Sequence, residues 1–236
     1  MSRKLSSILI SVVKNKKMRR LSSINQLLDC LALKGQDNKL VSLHEELRNI
    51  LDESYKGWSY HDYGEGYFYQ SYPSLSIRGL RNTNFRFKFY RLDSILNKNM
   101  RVLDIGCNSG FLSLTMAKYC RHLDAFDNNP FLIRIAEQCR EYEGIGNVKF
   151  SCSVFDEFQF ASTYSVVLSL ANHNTFDGNM RPEFRGYLER IRSVMQKGGW
   201  LIFESHPGEY KDPLLREHLD SVGDLFQIDS EEVVST

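Results

Sequence analysis

Gly106-Cys107-Asn108-Ser109-Gly110 follows the apolar run Arg101-Val102-Leu103-Asp104-Ile105 and precedes the helical run FLSLTMAKY. Glycine is required where a chain turns sharply from strand to helix and where backbone must approach a ligand with no Cβ in the way. The helix start behind the turn offers N–H groups. Asp127 closes the next apolar run about 20 residues further on, where a carboxylate can accept both hydroxyls of a ribose. Strand, glycine turn, helix, strand and acid together point to a ligand containing a nucleoside. The spacing is DxGxxxG and lacks the GxGxxG that seats a pyrophosphate, so no dinucleotide cradle is expected. His173 and His206 follow two later strand-like runs, at the end of an open sheet where ligands bind, and histidine titrates near neutral pH.

These residues need a scaffold, and the pattern after residue 100 supplies one. Short apolar runs at 101–105, 123–126, 148–152, 165–170 and 200–204 alternate with helical stretches near 111–121, 130–143, 181–195 and 212–222. The alternation predicts an α/β fold, a Rossmann-like parallel sheet with helices on both faces. Residues 1–54 read as an N-terminal helical extension of two or three helices. Residues 55–98 read as an aromatic and basic cover: its tyrosine-rich part is a loop or lid outside the core, and one helix from Phe85 to Leu96 leads into the sheet domain at 99–236.

A chain of 236 residues, 25% charged and 42% apolar, has the composition of an ordinary globular protein. The five cysteines are scattered with no CxxC pair, which predicts reduced thiols, no disulfide and no metal. No apolar run is long enough to span a bilayer. A cytoplasmic location is expected; the acid-free, serine-rich and basic first 28 residues leave a targeting or interaction segment as the alternative.

The net charge of +1 hides an asymmetry. Arg78, Arg81, Arg86, Lys88, Arg91, Lys98 and Arg101 face the single acid Asp93 within residues 77–101, and the last 32 residues are acidic. Such a stripe is a solvated face, or it meets an anionic substrate, a nucleic-acid backbone or the chain's own acidic tail.

VLDIGCNSGFLSL resembles the first motif of the class I S-adenosylmethionine-dependent methyltransferases, AFDNNP their second-strand acid, and MQKGGWLIFE the turn before their fifth strand. The resemblance covers about residues 80–210 and implies S-adenosylmethionine as cofactor. It places Gly106 and Gly110 beside the methionine portion, Asp127 on the ribose, Asn128 beside the adenine, and Phe155 with Asp156 at the adenine's far edge. Asp104 and Asn108 belong to the turn, and Leu170, ending the fourth strand, is counted with the cofactor contacts. Phe155 is equally a core aromatic, and Asp104 equally a strand-end acid capping a loop.

The stretch LSLANHNTFDGNMRPEF, with Tyr69-Gln70-Ser71 and Gly79 to Arg86 upstream, is similar to sugar- or lipopolysaccharide-associated methyltransferases. FRFKFYRLDSIL carries a weaker likeness to tRNA wobble-uridine methyltransferases. The implied acceptor is a small or glycan-linked molecule, methylated at oxygen, with tRNA and a non-catalytic cofactor-binding adaptor as alternatives. His173 and His206 are the candidate catalytic bases, with a structural histidine as the alternative at each. Tyr67, Tyr69, Gln70, Asn172, Asn174 and Asp177 are candidate acceptor contacts, the last three being equally open to a turn-forming role, and Arg81 or Arg86 is expected to pair with the methionine carboxylate or an anionic acceptor, with surface arginines as the alternative. Such relatives end with two further strands, yet only SEEVVST follows Leu225 to Asp229; the seventh strand is expected to be missing or very short. An open edge would be covered by the N-terminal helices or by a second copy in a homodimer.

Overall fold

The computed structural model describes residues 20–173, 183–206 and 209–232. Residues 20–32 form α1 and Asn38–Gly57 α2; the short helices α3 (Thr83–Phe89) and α4 (Leu92–Ile95) then lead into the sheet. Five strands follow: β1 (Arg101–Ile105), β2 (His122–Asp127), β3 (Val148–Cys152), β4 (Tyr164–Leu170) and β5 (Met195–Glu204). Between and after them run α5 (Phe111–Ala117), α6 (Pro130–Glu143), α7 (Phe184–Ser193) and α8 (Pro213–Asp220). All neighbouring strands are parallel, in the order β3-β2-β1-β4-β5. This is the α/β Rossmann-like sheet that the alternation predicts.

Side-chain alternation divides the strands between two cores. Val102, Leu123, Ala125, Phe150, Val166 and Leu168 join one buried cluster with residues of α2, α5 and α6. Leu103, Ile105, Phe126 and Val167 join the other with Tyr187, Leu188 and Ile191 of α7. After β3 the chain crosses back to lay β4 beside β1, Ile105 opposite Ser169. The carboxyl ends of β1 and β4 therefore border the crevice at which open sheets bind ligands.

Three expectations change. The tyrosine-rich stretch has the irregular backbone of a loop, but it is not outside the core: Tyr67, Phe68, Tyr72, Leu75 and Ile77 are buried in the same cluster as α2 and the sheet. Tyr72 stacks on Phe111 at 5.0 Å and Phe68 lies 5.7 Å from the same ring, so aromatic packing on α5 draws the segment inward. The helix expected from Phe85 to Leu96 is broken into α3 and α4 at Arg91, which adopts a left-handed φ of 54°. β5 begins at Met195, with the expected glycine turn inside it as an irregularity between the pairs Tyr164↔Met195 and Val166↔Trp200.

Residues 225–229 form no strand, and among the described residues the sheet stops at β5; Leu225 and Phe226 instead pack against the second core cluster. All five cysteines are unpaired thiols. No helix among the described residues is long and apolar enough to cross a membrane.

Candidate functional site

Between β1 and α5 the backbone folds through three left-handed positions, Gly106 (φ 66°), Asn108 (φ 55°) and Gly110 (φ 70°). Asn108 accepts this unfavourable region because its N–H donates to Asp127 Oδ2 at 2.8 Å while its own Oδ1 accepts from Ser109 N–H at 2.8 Å. Asp127 Oδ1 also accepts from Asn129 N–H at 3.0 Å, and Asn129 caps α6 through Phe131 and Leu132. The carboxylate thus joins the first turn to the start of α6. Each of its oxygens has acceptor capacity for more than one donor.

The two glycines do different work. A Cβ on Gly106 would overlap the side-chain amide of Asn172, whose Nδ2 donates to the Ile105 carbonyl. A Cβ on Gly110 would meet Phe150 and Ala136 at 2.6–2.7 Å, so close packing of α5 against α6 and β3 accounts for that glycine. Asn172 is buried and braces the turn from the end of β4.

Gln70 is buried as well, with Oε1 accepting from the first N–H groups of α5, Phe111 at 3.0 Å and Leu112 at 3.3 Å, while its Nε2 donates to the Cys107 carbonyl at 3.3 Å. It fastens the cover to the glycine turn. Asp104 lies beneath, receiving the Ser113 hydroxyl at 2.5 Å; burial pushes its pKa up to about 6 against the lowering effects of Ser113 and Arg86.

The cover residues are placed unequally. Tyr67 is buried and its hydroxyl donates to Asp29 of α1, an internal tie between α1 and the cover. Tyr69 is half-buried under the Arg81 guanidinium, 5.9 Å from its ring centre. Arg86 pairs with Glu204 at 3.2 Å and donates to Tyr90, whose hydroxyl also donates to Glu204. Glu204, which ends β5, was not singled out by the sequence; its position at a strand's carboxyl end was the available signal.

Beyond β3, the side chain of Phe155 is fully buried between Tyr187 (4.5 Å) and Arg190 (5.3 Å), in the second core cluster. Asp156 is exposed, Asn128 and Leu170 are half-buried, and Leu170 packs on the first cluster. Asn174 and Asp177 lie outside the described residues.

His173 and His206 come together at the ends of β4 and β5, ring centres 5.4 Å apart. The His173 side chain is 7% exposed, walled by Phe184 and Phe203, and its Nε2 lies 3.1 Å from Glu209 Oε2. That same oxygen accepts His206 N–H at 2.8 Å. Burial lowers the His173 pKa, with Glu209 pulling it back up and His206 and His218 adding to the lowering. His173 Nδ1, His206 Nε2 and, in the glycine turn, Ser109 Oγ are buried without a hydrogen-bonding partner among the described residues.

A left-handed turn with no Cβ at Gly106, an acid at the end of β2 and an unpartnered buried hydroxyl in the turn fit an adenosine-containing cofactor with a short amino-acid tail. Residues 96–232, more than half of the chain, match the family model described as a methyltransferase domain. No curated protein matches the chain. Among solved structures it is similar to precorrin 8W decarboxylase from Methanobacterium thermoautotrophicum, at 22% identity over 65% of this chain and 77% of that one, with a TM-score of 0.50. It is also similar to YcgJ from Bacillus subtilis, at 18% identity over 59% of this chain and 58% of that one (TM-score 0.45). A third similar structure, SMU.1697c from Streptococcus mutans in complex with SAH, shares 15% identity over 62% of this chain and 84% of that one (TM-score 0.46). At these identities the likeness is one of fold, and this chain spans less than two thirds of YcgJ.

Proposed function

The chain belongs to the methyltransferase-domain family as a class I S-adenosylmethionine-dependent enzyme, and from that premise we propose that it methylates a hydroxyl of a small or glycan-linked acceptor. When bound, the cofactor supplies a methyl group on a sulfonium centre that is already electrophilic, so the chain's task is mainly positioning. Asp127 would take the ribose hydroxyls, and Asn128 with the backbone at 155–156 would border the adenine. Gly106 and Asn108 would let the methionine portion lie along the turn. Arg86 is already neutralised by Glu204, so Arg81 is assigned to the methionine carboxylate. His173, held neutral by burial, would receive the acceptor's proton, with His206 beside it.

The observation that supports a compact acceptor over tRNA is that four of the seven cations of the basic stripe are paired within the chain. Arg78 pairs with Asp29 (3.5 Å), Arg86 with Glu204 (3.2 Å), Arg91 with Glu232 (2.8 Å) and Arg101 with Asp124 (3.5 Å). A phosphate track needs cations available for exchange with counterions. Incubating the protein with labelled S-adenosylmethionine and separate glycan, small-molecule and tRNA pools tests the assignment. Label entering the glycan or small-molecule pool is expected. Tight tRNA binding with a log–log salt slope steeper than about −3, lost on neutralising Arg78, Arg81 and Lys88, would overturn it.

A further inference from the structure

The pairing of His173 with Glu209 goes further than naming a base, because it fixes which ring nitrogen can act. An ionised carboxylate only accepts hydrogen bonds, so the histidine nitrogen facing it must carry the hydrogen. That nitrogen is Nε2, 3.1 Å from Glu209 Oε2. The other nitrogen, Nδ1, is then left with its lone pair, and it is the buried atom with no partner among the described residues. Such an atom is costly to bury unless something donates to it.

Glu209 is itself held in place. Its Oε2 accepts the His206 backbone N–H at 2.8 Å, and its own N–H donates to the His206 carbonyl at 3.1 Å, within the helical turn Glu209–Lys211. The imidazole is clamped by Phe203 at 5.0 Å and Phe184 at 5.6 Å, the latter backed by His218 stacked at 5.0 Å. One residue before it, Asn172 touches the glycine turn, so the ring stands at the border between the cofactor cradle and the end of β5.

Resting on the methyl-transfer reading above, we propose that Glu209 is a positioning residue that holds His173 as the Nε2–H tautomer, so that Nδ1 takes the proton of a neutral hydroxyl acceptor. In the balanced step the acceptor's O–H bond breaks and its proton goes to Nδ1. The oxygen's electron pair forms the new bond to the methyl carbon, and the pair of the broken C–S bond stays on sulfur. The resulting imidazolium is stabilised by the Glu209 carboxylate before its proton passes to solvent. The groups facing this ring are Glu209, which favours the cation, and His206 and His218, which oppose it when charged. This arrangement specifies an acceptor that arrives protonated and uncharged at the reacting oxygen.

Two-bond 1H–15N correlation spectra of the full-length protein with labelled histidine test the assignment without an acceptor. In the wild type, His173 is expected to show the Nε2–H form about tenfold or more over Nδ1–H, as one charge-assisted hydrogen bond would impose. Glu209→Gln should bring the two forms towards parity and lower the His173 pKa, while Glu209→Asp should retain most of the bias. Adenosylhomocysteine affinity, measured by calorimetry, should be unchanged in both variants. A dominant Nδ1–H form in the wild type, or a Glu209→Gln spectrum identical to wild type, would overturn the proposal. The wild-type spectrum decides the matter even if a variant does not fold. Absence of adenosylhomocysteine binding by the wild type would count against the cofactor assignment, a separate failure.

Discussion

The side chain of Asn172 occupies the space that a Cβ on Gly106 would need, with Cγ 2.7 Å from that position. Gly106 also sits at φ 66°, so an alanine there meets two penalties, one of backbone and one of overlap. Gly106→Ala should destabilise the fold by roughly 2–4 kcal/mol, read as a lower urea midpoint. Asn172→Ala alone removes the brace, but in the double variant it also relieves the overlap. The double variant should therefore be more stable than the sum of the single losses predicts, by about 0.5–3 kcal/mol. Strict additivity would place the cost of Gly106→Ala in the backbone alone.

Asp127→Ala should weaken adenosylhomocysteine binding at least about tenfold by calorimetry, the loss of one or two charge-assisted hydrogen bonds. Because Asp127 also receives Asn108 N–H and Asn129 N–H, the variant should in addition lose thermal stability without ligand. Equal affinity for wild type and variant would remove Asp127 from the cofactor site.

Asp104 gives a pH signature of defined sign. Its pKa is raised by burial from 3.8 to about 6, so the folded state holds a proton that the unfolded state has released across that interval. Stability from this group is therefore present below pH 4 and lost as pH rises through 6, by up to ~3 kcal/mol. Asp104→Asn keeps an acceptor for Ser113 and should flatten the wild-type decline between pH 4 and 7 in chemical unfolding. Parallel curves for the two proteins would contradict it.

Within the catalytic reading, His173→Ala should leave cofactor affinity intact and reduce turnover ~10²-fold or more with a hydroxyl acceptor. An unchanged rate would assign the acceleration to positioning alone.

The sheet and its ligand turn were legible because their requirements are local. A strand that must turn within five residues needs glycine, and the acid ending the next strand follows at a set distance. The structural ties made by Gln70 and Asn172 were not legible because their partners are distant in sequence: Gln70 caps a helix 41 residues away and Asn172 braces a strand end 67 residues away. No periodicity in a single chain encodes such a pairing. Tyr67 and Phe155 were ambiguous for a different reason, since an aromatic ring that could wall a ligand has the same composition signal as one that fills a core. Glu209 has no motif around it, and only the folded position of His173 gives it meaning.

The bond from Asn172 to Ile105 also sets an order of events during chain assembly. β1, the turn and β2 can associate early, but the brace requires β4 to close a long crossover and dock beside β1. Long-range closures of this kind are slow compared with local pairings. During synthesis the turn leaves the ribosome well before its brace, so the nascent chain carries an incomplete cradle through that interval. Cofactor that recognises only the finished cradle cannot template the early steps; it acts as a late lock, drawing the equilibrium towards chains that have already completed the crossover.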